Sequence, residues 1–459
     1  MQPDTGTEFG TNFKTEWMMN LALAKTDTAR ALGDIFATAR DRLPGAGPVA
    51  EVRQRAFEAY ERAGLPHRRI EDWKYTDLRT LMREVLPLAA APDAAALERA
   101  EVALASLATV EAHRLVLVDG ILAPKLSHLS ALETGVHVRA LREVLEDAGN
   151  DARADLLDSG AVIDPMISLN VAMATDGALI TIGEGAVLAR PLHIVHVATR
   201  SSAAIYTRSF LTVGKAAHAT LLESFVAAAG AQSYQANDAV TVSLGDDAEL
   251  QHVRLMVDAP DAINISTAIV TVGANARLNT FNMTSGGGTS RYQGYVTFAG
   301  EGAEVSTNGV NLLNGRQHAD TTLFLDHAVP KCTSREIFRS VVDDRAHTVF
   351  QGRIIVRPGA QKTDAKMMTR ALLLSDEAEA DNKPELEIFA DDVTCGHGAT
   401  TGALDDSLLF YLRARGLSEK EAQALLIQAF VGEAIESIAS DALRELAISA
   451  AQSWLAARG

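Results

Sequence analysis

A short phrase recurs five times between residues 182 and 305, and it limits the folds open to this 459-residue chain more than any other feature. Each copy has an apolar residue or alanine, a glycine, small or polar residues, an alanine, any residue, and then leucine or valine. The glycines are Gly183, Gly214, Gly245, Gly273 and Gly300, which gives steps of 31, 31, 28 and 27 residues. Recurrence at this spacing is typical of stacked solenoids, in which each repeat buries its apolar face against its neighbours.

The repeated phrase also predicts how each coil is built. The glycine is predicted to allow a turn with positive φ, and the alanine to fit under the neighbouring coil. The following apolar residue would begin the next inward-facing strand. We therefore predict a parallel β-helix over residues 161 to 394, although the phrase weakens after residue 310. A β-sandwich with similar hairpins is the alternative, and five repeats in phase favour the solenoid.

Helical segments are predicted on both sides of the β region, which makes the chain mainly β with helical ends. We expect an N-terminal helical domain at 1 to 110, a connecting mixed segment at 111 to 160, and a C-terminal helical domain at 395 to 459. Residues 16 to 62 read as helical, and the segment 114 to 124 reads as a buried hairpin. Ser418 and Glu421 have the spacing of a capping box. We expect the helices to cover part of the open end of the solenoid, whose last strands would otherwise be unpaired.

The apolar face of the helix after Ser418 is predicted from its helical spacing. Part of this surface could be left for another protein, because few residues follow Gly416. The predicted face contains Ala422, Leu425, Leu426, Ala429, Phe430 and Glu433.

Composition narrows the class of protein. The formal net charge of −17 argues against a nucleic-acid backbone or an anionic membrane surface as partner. There is no run of about 18 apolar residues, and the first residues show no basic region followed by an apolar run. Two cysteines without a CxxC spacing fit a reducing compartment. We therefore expect a soluble, cytoplasmic protein.

One strand-like stretch combines residues that could do chemistry. Cys395 and His397 are two positions apart, so in an extended segment they project from the same side, about 6.5 to 7 Å apart. A thiolate and an imidazole can share a soft metal ion or handle sulfur. A structural zinc ion or an iron-sulfur cluster normally takes about four protein ligands. The pair is therefore half a site, and we expect a partner to supply the rest.

Several residues also have simpler structural interpretations. Cys395 could be a small buried apolar residue, and Cys332 is predicted to be structural. Trp73 and Tyr75 are predicted to anchor a loop on the helical domain.

A histidine ladder along the later strands is possible, but histidines with satisfied hydrogen bonds are favoured. The three histidines concerned are His318, His327 and His347. Two acidic pairs, Asp343 with Asp344 and Asp391 with Asp392, are predicted to be turn residues rather than an acid/base pair.

Several segments resemble a known family. DDVTCGHGATTGALDDSLLFYLRARGLSEKEAQALLIQAF resembles the C-terminal signature of the SufB/SufD family of iron-sulfur cluster assembly proteins. Further likeness is found at 64 to 81 (GLPHRRIEDWKYTDLRTL), 168 to 182 and 190 to 200. Gly398 follows His397 where the SufB branch usually has glutamate, and the WKYT segment is typical of the SufD branch. The resemblance therefore favours that branch.

The resemblance implies a right-handed parallel β-helix between helical domains, paired with a SufB-like paralogue and carrying the ATPase SufC. The family's interface histidine, which is needed for cluster assembly, corresponds to His397, with Cys395 beside it. The C-terminal helices would dock SufC, and the candidate residues are Leu408, Tyr411, Leu412, Leu426 and Phe430. An iron-sulfur cluster would be held only transiently in the complex, and no cofactor is expected to bind stably to this chain alone. The isolated chain could form homodimers.

Two other classes of function compete with the scaffold interpretation. A β-helical enzyme, acting as an acyltransferase or on carbohydrate, could use a histidine base. The chain lacks the strict hexapeptide repeats of the first type and the secretion signal usual for the second. The phosphate-binding motif G-x-x-x-x-G-K-[ST] does not occur, so any ATPase activity must come from a partner. We therefore expect a scaffold without catalytic activity of its own.

Overall fold

Helices flank a long run of strands in the computed structural model, which describes residues 27–107, 109–149, 151–157 and 162–458. Residues 16 to 26 of the predicted N-terminal helical segment lie outside the described residues. The described α-helices are α1 (Asp27–Ala39), α2 (Pro48–Ala63), α3 (Leu78–Leu81), α4 (Ala94–Leu104), α5 (Leu141–Glu146), α6 (Pro165–Met173), α7 (Asp406–Arg413), α8 (Glu419–Ile435) and α9 (Asp441–Ala457). Short 3-10 helices lie at Arg40–Arg42, Glu71–Trp73, Ala105–Leu107 and Asp151–Leu157. None of the helices in the described part of the chain is long and apolar enough to cross a membrane.

The strands form two sheets, and successive strands from β4 to β19 alternate between them. They are β1 (His113–Val118), β2 (Ile121–Leu122), β3 (Val136–Ala140), β4 (Ala178–Ile182), β5 (Leu192–Ala198), β6 (Ala204–Val213), β7 (His218–Ala227), β8 (Gln235–Leu244), β9 (Glu249–Val257), β10 (Ile263–Val272), β11 (Arg277–Thr284), β12 (Thr289–Phe298), β13 (Glu304–Leu313), β14 (His318–His327), β15 (Thr333–Val342), β16 (His347–Val356), β17 (Asp364–Leu373), β18 (Glu379–Ile388) and β19 (Thr394–Gly402).

We call the ten-stranded sheet, in the order β19-β17-β15-β13-β11-β9-β7-β5-β1-β2, sheet I. The nine-stranded sheet, in the order β18-β16-β14-β12-β10-β8-β6-β4-β3, is sheet II. Neighbouring strands from β4 to β19 pair in parallel, with each coil placed on the one before it. The predicted parallel β-solenoid between helical ends is confirmed, and the β-sandwich alternative is wrong.

The first coil contains antiparallel strand pairs. The predicted hairpin is present: β1 and β2 pair antiparallel with Leu117 opposite Leu122, and Asp119 and Gly120 both have positive φ in the turn. β1 also pairs in parallel with β5, and β3 pairs antiparallel with β4. Strands of both sheets therefore lie before residue 161, and β19 continues to Gly402. The four-part domain division stays a prediction.

The recurring glycines lie where each strand of sheet II turns toward sheet I, but their predicted role is wrong. None of the five has positive φ, which occurs two residues later at Gly185, Ala216, Asp247, Asn275 and Gly302. Glycine is required there for space. A Cβ at Gly214 would lie 2.7 Å from the backbone nitrogen of Glu184, and one at Gly300 would lie 2.0 Å from that of Ala274. Each turn thus packs its backbone on the turn before it.

The alanines of the phrase form a buried row. The residue before each strand of sheet I from β7 to β17 aligns with its neighbours in the strand register. The row consists of Ala217, Ala248, Ala276, Ala303, Cys332 and Thr363, all almost fully buried. Cys332 occupies a position that alanine fills in earlier coils, which agrees with its predicted structural role. The coil repeat therefore continues past residue 310.

The described helices pack on the two outer faces of the solenoid. The N-terminal helices pack on the outer face of sheet II, around residues such as Tyr206 and Ile265. The C-terminal helices pack on sheet I, over Val253, Phe281 and Val310. Cover of the open end by helices stays a prediction, because residues 16 to 26 lie outside the described residues. β18 and β19 remain edge strands.

Helix α8 buries a different face from the predicted one. Its caps agree with the sequence, because Ser418 and Glu421 form the capping box. Its buried residues are Ala422, Ile427, Val431, Ala434 and Ile435. Leu425 and Ala429 of the predicted face are exposed instead. Apolar residues surround this helix, so periodicity alone could not decide which side packs on sheet I.

The stacked turns predict a position-specific effect of adding one methyl group. We expect Gly300→Ala to lower the free energy of unfolding by on the order of 2 kcal/mol or more, because the added Cβ must displace backbone. Gly359→Ala is the matched control, since no atom lies within 4 Å of its added Cβ. It should change stability by less than about 1 kcal/mol. Thermal unfolding of both variants tests this, and equal effects would contradict the stacking argument.

Candidate functional site

Cys395 and His397 lie on β19, the last strand of sheet I. In the register, Cys395 is opposite Ala365 and His397 is opposite Met367, and both partners are buried in the solenoid interior. Because side chains on one strand alternate with period two, both residues belong to the inward-facing row. No further coil of this chain follows, so Cys395 is half-buried and His397 is exposed.

Polar side chains face inward from β18 and β19, where the solenoid ends. We call the set of Asn382, Cys395, His397 and Thr401 the mouth. Asn382 connects its two sides: it accepts a hydrogen bond from the Thr369 hydroxyl (2.8 Å) and donates one to the Thr401 hydroxyl (3.2 Å). These bonds hold β17, β18 and β19 together where the ladder ends.

The electrostatic surroundings of the mouth keep the thiol protonated. Burial raises the pKa of Cys395, and the carboxyl groups of Asp364 and Glu336 act in the same direction. The opposing hydrogen bond with the Ala365 backbone is too weak to reverse this. Because the thiolate is the form that attacks and binds metal, the resting site has low reactivity near neutral pH.

Glu336 on β15 is a buried acid that sequence reasoning missed. It is 1% exposed, and neither carboxyl oxygen has a hydrogen-bond partner of normal geometry among the described residues. Burial raises its pKa to about 8. The register aligns Glu336 with Met367 and then His397, so it lies in the inward row that leads to the mouth. The segment TSREIF has polar residues at both strand parities, so alternation did not mark Glu336 as inward.

His327 is also part of the solenoid interior. Its ring stacks on Phe298 with centroids 4.0 Å apart, and its Nε2 lies 3.1 Å from the Ser334 hydroxyl. Burial lowers its pKa to about 4. His327 is therefore a hydrogen-bonded core histidine and not part of a ladder with His318 and His347, which lie on the outer side of sheet II and are in direct contact.

The described part of the chain contains no group of three or more histidine, cysteine, aspartate or glutamate side chains arranged to hold a metal ion. Cys395 and His397 are thus two possible donors without a third from the described residues. Further donors would have to come from elsewhere.

The five docking candidates fall into two groups. Leu408 and Tyr411 on α7 are half exposed, at 50% and 52%. Leu412, Leu426 and Phe430 are partly buried, and Phe430 packs against the C-terminal core near Arg339. Phe410, which was not singled out, is 75% exposed on the same helix. α7 buries none of its residues fully, so it presents an apolar surface.

The other residues for which the sequence predicted a structural role lie in a short 3-10 helix and in turns. Trp73 is buried, donates a hydrogen bond from Nε1 to Asp164 (2.8 Å) and lies under Arg291, as an anchor should. Tyr75 is only partly buried. Both acidic pairs lie in turns, Asp343 and Asp344 after β15 and Asp391 and Asp392 between β18 and β19.

Fold and site together define a class: a parallel β-solenoid protein with helical flanks, whose thiol and imidazole lie on the edge strand that ends one of its two sheets. Residues 196–430 match the family described as "SUF system FeS cluster assembly, SufBD core domain", and residues 26–194 match "SufBD protein N-terminal region". The chain belongs to the SufBD family, as the sequence motifs predicted.

Individual relatives agree with this assignment. The chain is 31% identical over 396 residues to the iron-sulfur cluster assembly protein SufD of Escherichia coli, covering 85% of this chain and 90% of that protein. It is 30% identical over 407 residues to an iron-sulfur cluster assembly SufBD family protein of Synechocystis, covering 85% and 87%. Similarity to SufD of Bacillus subtilis is lower, at 23% over 292 residues, covering 62% and 65%. The predicted likeness to the SufD branch is confirmed.

The raised pKa of Glu336 predicts a pH-dependent stability difference. The folded chain holds this proton up to about pH 8, whereas an unfolded glutamate releases it near pH 4.3. The folded state therefore binds more protons between these values, and stability is lost as the pH rises through them. Glu336→Gln should remove this loss, raising the free energy of unfolding relative to wild type by on the order of 1 to 3 kcal/mol at pH 8.

Thermal unfolding at pH 5 and pH 8 measures the difference. The advantage of Glu336→Gln over wild type should be larger at pH 8. The exposed Glu98 on α4 gives the control Glu98→Gln, which should show no such trend. An equal effect of Glu336→Gln at both pH values would show that the buried carboxyl does not titrate as argued.

Proposed function

We propose that this chain is the non-catalytic scaffold subunit of a cytoplasmic complex that assembles iron-sulfur clusters. It pairs with a SufB-like paralogue at the mouth and binds a SufC-like ATPase through its C-terminal helices. The observation that carries the proposal is the position of Cys395 and His397, which face inward on a last strand that no further coil covers. The cluster is cargo of the complex, and iron and sulfur arrive as substrates.

The two edge strands differ in a way that supports partner binding at β19. β18 contains Pro384 and alternating charges, and Lys383 and Glu385 are held in ion pairs, which is how natural sheets guard an edge. β19, with the sequence TCGHGATTG, has neither proline nor a charged residue. A Cβ at Gly396 or Gly402 would meet no atom of this chain within 4 Å. Packing within the described part of the chain therefore does not explain these two glycines. A glycine at these positions would allow the backbone of a partner to approach closely.

The chemistry of the mouth also favours a shared site. A protonated thiol must lose its proton before it can accept sulfur or bind iron. Positive charge or donors from a partner would lower the pKa of Cys395 and complete the ligand set. Nucleotide-driven movement of the two subunits would then expose or close the mouth, a switch between two states.

Helix α7 is the part of the C-terminal region best suited to dock the ATPase. Leu408, Phe410 and Tyr411 are exposed on a helix capped by Asp405, so its apolar surface is held in a defined shape. Contiguous exposed apolar surface of this kind marks protein interaction sites. The partly buried Leu426 and Phe430 would support the helix and make fewer direct contacts.

The proposed role of His397 predicts a variant that assembles but carries no cluster. The chain is co-purified with its SufB-like and SufC-like partners, as wild type and as His397→Ala, and reconstituted anaerobically with iron and sulfide. We expect His397→Ala to form the complex but to lose most of the cluster absorption in the visible range. Thr400→Ala, an exposed outward position on the same strand, should behave as wild type.

Two results would overturn this proposal. If the wild-type chain binds neither partner, the scaffold role is wrong and a β-helical enzyme becomes the leading hypothesis. If His397→Ala gains the same cluster as wild type, the mouth is not the assembly site. Size-exclusion chromatography of the isolated chain shows in addition whether the free mouth forms homodimers.

The docking role of α7 predicts selective loss of the ATPase. The double variant Leu408→Asp, Tyr411→Asp should reduce binding of the SufC-like partner at least about 100-fold, as expected when two anchor residues are removed. Its melting temperature and its binding to the SufB-like partner should stay unchanged. Val102→Asp on α4, an apolar residue 74% exposed outside the C-terminal helices, is the control. Retained ATPase binding by the double variant would exclude α7 as the docking surface.

A further inference from the structure

Two histidines meet on the outer side of sheet II, apart from the mouth. His318 and His347 begin the neighbouring parallel strands β14 and β16 and are directly opposite each other in the register. Their Nδ1 atoms are 3.2 Å apart. His318 is buried and His347 is partly buried, beneath the loop that carries Thr76.

The other ring nitrogen of each histidine is already committed. His347 Nε2 lies 2.8 Å from the Asp381 carboxylate, so it carries the hydrogen and donates it. His318 Nε2 lies 2.9 Å from the Thr76 hydroxyl. That hydroxyl donates its own hydrogen to the Asp320 side chain, which pairs with the buried Arg291. Thr76 must therefore accept from His318, and both histidines carry their hydrogen on Nε2.

The two Nδ1 atoms consequently face each other without a hydrogen when both rings are neutral. Two nitrogen lone pairs at 3.2 Å repel, so the geometry favours a positive charge between them. A shared proton would provide one. A metal ion bound by both nitrogens is the alternative.

A metal ion fits the same geometry. For metal-nitrogen bonds of about 2.0 to 2.1 Å, a nitrogen separation of 3.2 Å gives an angle of about 100° at the metal, near the tetrahedral value. Histidine ligands in proteins almost always donate their other N–H to a carboxylate or another acceptor, which fixes the ring. Asp381 does this for His347, and Thr76 with Asp320 does it for His318.

The open side of the pair faces a cavity of about 410 Å³. Its lining includes Arg68, Tyr75 and Asp77 besides the two histidines. Two protein donors leave about two positions of a tetrahedral ion free, and this space admits water or a small anion to fill them. The pair has no third ligating side chain among the described residues, so the site is an open one.

We propose that His318 and His347 bind a divalent transition-metal ion of the zinc type through their Nδ1 atoms. Asp381 and the Thr76–Asp320 pair orient the rings, and water or a small anion from the cavity completes the coordination. Through Thr76 the ion would also stabilise the attachment of the N-terminal loop to the solenoid.

The test is binding of zinc to the full chain without an affinity tag, after removal of metal by a chelator. Equilibrium dialysis with metal analysis should find one zinc ion per chain, and cobalt(II) substituted for zinc should show the visible absorption of tetrahedral coordination. His347→Gln should abolish this binding. Asp381→Asn should weaken it about 10- to 100-fold while keeping both ligands.

Two control variants separate this site from others. His218→Gln changes a partly exposed histidine that contacts Glu249 and, among the described residues, no second histidine, and it should leave zinc binding unchanged. His397→Ala should also leave it unchanged, so the result is independent of the proposed function of the mouth. Melting temperatures of all variants identify any that fail to fold, and Asp381→Asn keeps the test valid if His347→Gln does not fold.

Two outcomes would overturn the proposal. Absence of zinc binding by the wild type would mean that the histidines share a proton instead. Zinc binding that survives both His347→Gln and Asp381→Asn, or that is lost in His397→Ala, would place the metal elsewhere.

Discussion

Direct backbone packing of each turn on the previous one is the constraint on which this structure depends. At Gly214 and Gly300 a single added carbon would lie within 2.7 Å of backbone atoms in the preceding turn. The buried row of residues that precede the strands of sheet I contains only small side chains. Most are alanine, and Cys332 takes the place of alanine in one coil. This spacing lets strands of successive coils pair in parallel and leaves their outer faces to be covered by helices.

The two ends of the solenoid differ in how their edge strands are paired or protected. At the N-terminal end, antiparallel pairs close both sheets: the hairpin of β1 with β2 closes sheet I, and β3 paired with β4 closes sheet II. At the C-terminal end β18 is guarded by Pro384 and its charges, whereas β19 is left unguarded. Cys395 and His397 lie on that strand. Under the proposed function the free edge of β19 is where a partner would bind, so the end of the fold and the candidate site would coincide.

Sequence alone predicted the solenoid because backbone stacking imposes a periodic demand for glycine and alanine, and it placed Cys395 and His397 on one side because strand side chains alternate. The sequence could not show why the glycines are needed. A turn with positive φ and a close approach of two backbones both favour glycine, so the two causes look alike in the sequence. The repeated phrase becomes hard to recognise in the sequence after residue 310, because Cys332 and Thr363 replace the alanine of the earlier coils. Glu336 and the contact between His318 and His347 were not predicted, because they depend on which coils stack and on which face each strand turns inward.

The solenoid interior adds a second constraint that hydrophobic patterning cannot supply. Arg254 is fully buried between Glu223 and Asp238, which come from different strands, and His252 also contacts Glu223 at 2.6 Å. Apolar rows alone tolerate small shifts between coils, but a shift here would leave a buried charge without its partner, at a cost of about 3 to 5 kcal/mol. Breaking these pairs is far more costly than forming them is favourable. The buried ions therefore disfavour other registers of the middle coils, and the later coils up to β19 continue the stack by parallel pairing.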